Sequence, residues 1–203
     1  MKLDLSKYKG IVFDLDGTLV NSMISHAAAW EKTCLKFNIP YEKEWLNQLG
    51  GMPSRKVTNE IVKRYDLNLD ADEVTKDKIA NFEAIEDKGD IIPKTYQILK
   101  DNYKTKKIGI GTGSQYKHAK EILDKTDILT LIQTLVTSDD VENHKPSPDT
   151  FLKVAEQLNV IPSQCIVFED TRIGQQAASN AGMDCYLVHN GTVLSFSAAA
   201  DVT

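Results

Sequence analysis

At 203 residues, 41% of them hydrophobic, the chain is long enough to bury a sizeable core without metal or disulfide staples. A formal net charge of -5 gives no basic footprint for nucleic acid, and no apolar run approaches the length of a membrane span. Cys34, Cys165 and Cys185 are odd in number and lack Cys-x-x-Cys spacing, so the expectation is a cytoplasmic monomer without disulfides.

In chain order, Ile11–Phe13 comes first, a short apolar run that stops at Asp14-Leu15-Asp16-Gly17-Thr18. β-Branched and aromatic residues bounded by a turn residue read as a buried strand. Buried strands of open α/β sheets deliver functional groups at their carboxyl ends. By the two-residue period of a strand, Asp14 and Asp16 fall on one side. Two carboxylates so close repel, and Mg²⁺, which prefers oxygen ligands and brings phosphate with it, would offset the charge. One carboxylate would then attack phosphorus while the other moves protons. A solvated Asp-x-Asp-Gly turn is the bland alternative.

The character then turns helical as far as about residue 90. Met23–Phe37 carries Ile24, Ala27, Ala28 and Leu35 at helical spacings, and Asn38-Ile39-Pro40 stops it. Tyr41–Leu49 forms a second helix closed by Gly50-Gly51. Ser54 reads as the N-cap of Arg55–Tyr65, and Asp70 with Glu73 as a capping box for a fourth helix towards Glu86. Four helices with no strand between them read as a small bundle.

From Ile91 onward helices and strands alternate. Strands are predicted at Lys107–Thr112, Gln133–Thr137, Cys165–Phe168 and Met183–Val188, and helices at Thr95–Asn102, Tyr116–Thr126, Asp149–Leu158 and Ile173–Ala181. Alternation of this kind specifies an α/β fold, a Rossmann-like parallel sheet with helices on both faces. The helical stretch is an insertion, giving an α/β core of residues 1–20 and 91–203 and a helical cap of residues 21–90. The tail Thr192–Thr203 reads as either a short helix or a frayed end.

Every strand that ends in suggestive chemistry ends on one edge of this sheet. Besides Asp14 and Asp16, these ends bring Thr112 with the small residues Gly111, Gly113 and Ser114, whose backbone can approach a phosphate closely. They also bring the acidic pair Glu169-Asp170, suited to a hard cation, and Lys145 from the loop after the third strand adds a point positive charge. A nucleophile, a hydroxyl anchor, a lysine and distal carboxylates together make a phosphoryl-transfer site.

Asp14-Leu15-Asp16-Gly17-Thr18, Thr112, Lys145-Pro146-Ser147-Pro148-Asp149 and Glu169-Asp170, in this order, resemble the motifs of haloacid dehalogenase superfamily hydrolases. The inserted helices resemble the cap of the β-phosphoglucomutase-like branch. The resemblance implies Asp14 as nucleophile and Mg²⁺ ligand, and Asp16 as proton donor and acceptor whose carbonyl also binds the metal. It implies Asp170 and Glu169 on the metal, Thr112, Gly113 and Ser114 around the phosphoryl oxygens, and Lys145 as charge balance. Asp16 is expected to start protonated, its pKa raised by neighbouring anions.

In the cap, His26 and Trp30 share a helix face, and the resemblance places His26 near the entrance to the site. Gly51-Met52-Pro53-Ser54-Arg55 resembles the loop whose arginine meets the far part of a phosphorylated substrate. The cap lysine used by mutases has no clear counterpart: Lys76 and Lys78 are available, but lysines on a charged helix are usually solvated. His118 and His189 have no partner in the sequence and stand outside the expected site. The surroundings of Thr112 and Lys145 look closest to bacterial sugar phosphatases of the fructose-1-phosphate type. The implied activity is Mg²⁺-dependent hydrolysis of a small phosphorylated metabolite; a phosphomutase and, more remotely, a non-catalytic phosphometabolite sensor are the alternatives.

Overall fold

The computed structural model describes residues 3–199. Strand β1 (Gly10–Phe13) is followed by four helices, α1 (Met23–Lys36), α2 (Lys43–Gln48), α3 (Ser54–Arg64) and α4 (Ala71–Glu83). The chain then runs through α5 (Pro93–Asn102), β2 (Lys107–Gly111), α6 (Tyr116–Leu123), β3 (Thr134–Val136) and α7 (Asp149–Leu158). It finishes with β4 (Cys165–Glu169), α8 (Arg172–Asn180), β5 (Asp184–His189) and β6 (Thr192–Ser197). The strands form one sheet in the order β3-β2-β1-β4-β5-β6, parallel from β3 to β5 and antiparallel at β6.

The apolar runs are continuous because both sheet faces are covered. Ile11, Phe13, Ile108, Ile110, Ile166 and Phe168 pack on one face with Leu99 of α5 and Ala119, Ile122 and Leu123 of α6. Val12, Cys165, Val167 and Cys185 pack on the other with Phe151 and Val154 of α7 and Ala177 and Ala178 of α8. All three cysteines are buried and free, the inert role their apolar surroundings predict. The four inserted helices close on a separate cluster that includes Trp30, Cys34, Leu46, Val57, Ile61 and Val74.

Three local expectations change. The segment after β5 is neither a helix nor frayed: it turns at Asn190-Gly191, both at positive φ, and pairs back as β6. Residues 200–203, the end of that tail, lie outside the described residues. Ser54 is the first residue of α3 rather than its cap, and Pro53 holds the N-cap position without a side-chain bond. Helix α4 ends at Glu83; Asp70 caps it by accepting from the Asp72 amide, with no bond from Glu73.

The two crossings between sheet and insertion lie side by side. Val20 bridges Ile91, and the Asn21 amide donates to the Asp90 carbonyl at 2.8 Å. Gly89 makes this approach possible: at φ +127°, any Cβ there would fall 2.3 Å from the Asn21 carbonyl oxygen. No described helix is long and apolar enough to cross a membrane.

Candidate active site

Strand β1 lies between β2 and β4, where the order of crossings reverses, the point at which open α/β sheets place ligands. The register sets Phe13 opposite Ile110 and Phe168. The next residues, Asp14 on β1 and Glu169 on β4, therefore emerge together, close to Thr112.

Lys145 reaches this edge from the loop before α7. Its Nζ donates to Asp14 Oδ1 at 2.7 Å and to Glu169 Oε2 at 2.8 Å, with the three side chains 0%, 3% and 0% exposed. Glu169 Oε1 accepts from the amide and hydroxyl of Thr171 at 3.1 and 2.8 Å. Both Glu169 oxygens are thus engaged, and Gly174 of α8 makes room for them: a Cβ there would lie 2.0 Å from the carboxyl carbon.

Asp14, Glu169 and Asp170 each offer a carboxylate oxygen, all within 4.8 Å of one another. Burial first, then the charge of Glu169, pushes the Asp14 carboxyl up to about 8 against the opposing pull of Lys145. Burial and the charges of Glu169 and Asp14 raise Asp170 well above the carboxylate range. Asp170 Oδ1 is buried without a hydrogen-bond partner. Three carboxylates against one lysine leave a deficit of two positive charges, and the donors are all hard oxygens. A divalent cation of the Mg²⁺ type fits both features.

Asp16 sits in opposite surroundings. Its Oδ1 accepts from Ser22 Oγ at 2.5 Å, and its Oδ2 from Ser114 Oγ at 2.7 Å and Thr112 Oγ1 at 3.1 Å. His26 Nε2 from α1 approaches Oδ1 to 3.5 Å. Burial alone would raise this carboxyl, but the hydrogen bonds from His26, Ser22 and Ser114 outweigh it and hold Asp16 well below the usual range. The expectation of a raised Asp16 is corrected: its near neighbours are donors, and the crowding of anions falls on Asp14.

His26 is itself held from behind. Lys78 Nζ of α4 lies 2.9 Å from His26 Nδ1, and the imidazole stacks on Phe82 at 4.2 Å. An ammonium has only protons to give, so Nδ1 accepts and Nε2 carries the imidazole proton that faces Asp16. Lys78 is 3% exposed, and burial brings it down to about 8 despite the opposing charge of Asp16. This lysine stands outside the sequence-based site. Its signal was spacing: Lys78 lies four residues from both Val74 and Phe82, on the buried face of α4.

Asp14, Asp16, His26, Lys78, Thr112 and Ser114 line one cavity of about 260 Å³ between sheet and insertion. Gly51 and Gly113 meet across it, since a Cβ on Gly113 would fall 2.1 Å from the Gly51 carbonyl oxygen. Arg55 lines its outer part, is 46% exposed and pairs with the carboxylate of Asp72. The structure therefore brings Asp14, Asp16, Lys145, Thr112, Ser114, Glu169, Asp170, His26, Gly51 and Gly113 together, and leaves Arg55 at the edge. His118 and His144 also line the cavity; the first is buried and lies 3.2 Å from Glu83 Oε1.

Comparison with known proteins shows the family. The sequence profile of a family described as haloacid dehalogenase-like hydrolase matches residues 11–188. Over 179 residues the chain is 31% identical to the fructose-1-phosphate phosphatase YqaB of Escherichia coli, covering 88% of this chain and 95% of that one. It is 27% identical over 184 residues to a β-phosphoglucomutase of Bacillus subtilis, covering 86% and 80%. A hydrolase from Pseudomonas syringae superposes with a TM-score of 0.81 at 25% identity, over 90% of this chain and 85% of that one.

Proposed function

The chain belongs to the haloacid dehalogenase-like hydrolases, and from that premise we propose that it is a phosphatase of a small phosphorylated carbohydrate. Asp14 is the nucleophile and Asp16 the acid and base. What carries this reading is the opposed environment of the two aspartates at the mouth of one cavity. Pairs of titratable groups whose surroundings push them apart mark a division of acid–base labour.

Asp14 is fixed by Lys145 at one oxygen, which leaves the other free to attack phosphorus and form an aspartyl-phosphate. Thr112, Gly113 and Ser114 lie around the transferring group, where donors stabilise charge on its equatorial oxygens. Asp14, Asp170 and the Asp16 carbonyl would hold Mg²⁺, with Glu169 beside them anchoring Lys145. When bound, the ion neutralises the charge shared by phosphate and carboxylates. The arriving phosphate opposes ionisation of Asp16. The carboxyl then carries a proton to give to the leaving alkoxide, and afterwards takes one from the attacking water. His26, backed by Lys78, holds Asp16 in line for both steps.

Relatives named as phosphatases of fructose 1-phosphate and of phosphorylated carbohydrates support the substrate class. One observation favours a second reading, phosphomutase: Lys78 is a buried cap lysine directed at the acid–base pair, the feature the sequence did not reveal. The same site serves both reactions, and they differ in whether water reaches the aspartyl-phosphate. The test is incubation with Mg²⁺ and hexose, pentose and triose phosphates, including β-glucose 1-phosphate. Phosphate release from a sugar phosphate supports the phosphatase. Conversion of glucose 1-phosphate to glucose 6-phosphate without release replaces it with the mutase, and silence in both assays overturns both.

A further inference from the structure

The cavity wall carries three histidines in two kinds of surroundings. His26 is engaged by Asp16 and Lys78, and His118 by Glu83. His144 alone has a buried ring nitrogen, Nδ1, without a hydrogen-bond partner. A buried polar atom left unpaired costs free energy that a well-packed protein normally avoids, so each such atom asks for an explanation. His144 directly precedes Lys145, whose ammonium is locked onto Asp14, and it lines the same cavity as Asp14 and Asp16.

Its neighbours describe the ligand it suits. Burial first, then the nearby charge of Lys56 from the cap, keeps the ring below its usual pKa and therefore uncharged at neutral pH. An uncharged imidazole is a poor partner for a second phosphate and a good one for a hydroxyl, since it has one nitrogen that donates and one that accepts. The cavity lining adds Ser54, Gln115, Ser138 and Asp139, hydrogen-bonding groups rather than cations, and Lys56, whose charge acts on the ring, does not line the cavity. Arg55, the guanidinium in the lining, pairs with Asp72.

We infer that His144 is a specificity-determining residue that binds a hydroxyl of the carbohydrate, so that the cavity selects monophosphates with a neutral, hydroxyl-bearing far end. The broad, two-fold rotation of an imidazole about its second side-chain torsion lets the unpaired nitrogen turn to meet that hydroxyl. This deepens the phosphatase reading and rests on the same cavity. Sites that hydrogen-bond a substrate hydroxyl discriminate strongly against analogues without it, because their buried groups are then left unpaired.

The test compares fructose 1-phosphate with phenyl phosphate, which offers no hydroxyl beyond its ester. His144→Leu should lower the ratio of kcat/KM for fructose 1-phosphate to that for phenyl phosphate by about 10-fold or more, mostly through KM. His144→Asn, whose amide reaches as far as Nδ1, should recover most of that ratio. Calorimetric binding of fructose 1-phosphate to Asp14→Asn protein, with and without His144→Leu, makes the same comparison without turnover. If the wild type binds this sugar phosphate but releases no phosphate, the phosphatase reading falls while His144 is still decided by binding. An unchanged ratio, equal losses on both substrates, or no binding by the protein that retains His144 overturns the inference.

Discussion

Asp14 and Asp16 are two residues apart at one strand end, yet they meet different surroundings. Asp14 faces the core, where Glu169 and Asp170 crowd it and Lys145 alone offsets them. Asp16 faces the cavity, where Thr112 and Ser114 from the core and Ser22 and His26 from the cap surround it with donors. The core half is built from residues at strand ends whose spacing the sheet register dictates. The cap side of Asp16 is built from His26 of α1, which Lys78 of α4 holds from behind. In the proposed reaction the core supplies the nucleophile, and the cap supplies the imidazole that positions the acid–base group.

The sharpest way to break this contrast is to remove the nucleophile. Asp14→Asn should lower phosphate release by about 10⁴-fold or more while leaving the circular-dichroism spectrum intact. Substantial turnover in a clean preparation would transfer the role elsewhere. Next in size is the seam. Gly113→Ala places a methyl against the Gly51 carbonyl at 2.1 Å, so the cap cannot seat. Misplacement on this scale should cost about 10²-fold in kcat, with thermal stability of the core preserved.

Lys145→Met probes the core half through stability. Taking away one partner leaves two buried carboxylates uncompensated, an effect of about 3–5 kcal/mol in chemical denaturation. Lys78→Met probes the cap half: it should cost about 10-fold or more in kcat with a much smaller change in stability, because it loosens His26 rather than the core. A loss of stability as large as that of Lys145→Met would assign Lys78 to structure instead.

The smallest effect is a pH dependence. The Asp14 carboxyl is raised to about 8 in the folded protein, so between the usual carboxylate range and pH 8 the folded state holds a proton that the unfolded chain has released. Stability from this group is present at low pH and is lost as pH rises through that window. Denaturation at pH 5 and pH 8 should therefore show wild type losing ground relative to Asp14→Asn. Mg²⁺ at pH 8 should return stability to wild type by binding the folded state. A difference that is independent of pH would contradict the crowding of charge at Asp14.

Most of the core half was legible, since strand ends, glycine turns and carboxylate spacing are local features that the sheet reads directly. In the cap half His26 and Gly51 were legible but Lys78 was not, because it meets His26 across 52 residues and only tertiary packing turns a lysine of a charged helix inward. The pKa of Asp16 was read with the wrong sign for the same reason, as its hydroxyl and imidazole partners come from the start of α1 and from the loop after β2, which only the folded chain brings together. Strand β6 did have a local signal. Asn190-Gly191 between apolar runs is a strong two-residue hairpin pattern, and its two positive φ angles are those such a turn requires.

The most direct measurement is an acid quench of the wild-type enzyme during turnover of fructose 1-phosphate with Mg²⁺, followed by mass spectrometry of the digested chain. One phosphoryl group on the peptide that contains Asp14, and none in the Asp14→Asn protein, is the result the site geometry predicts. Phosphate release with that peptide unmodified at every quench time, or the label on another residue, would contradict it.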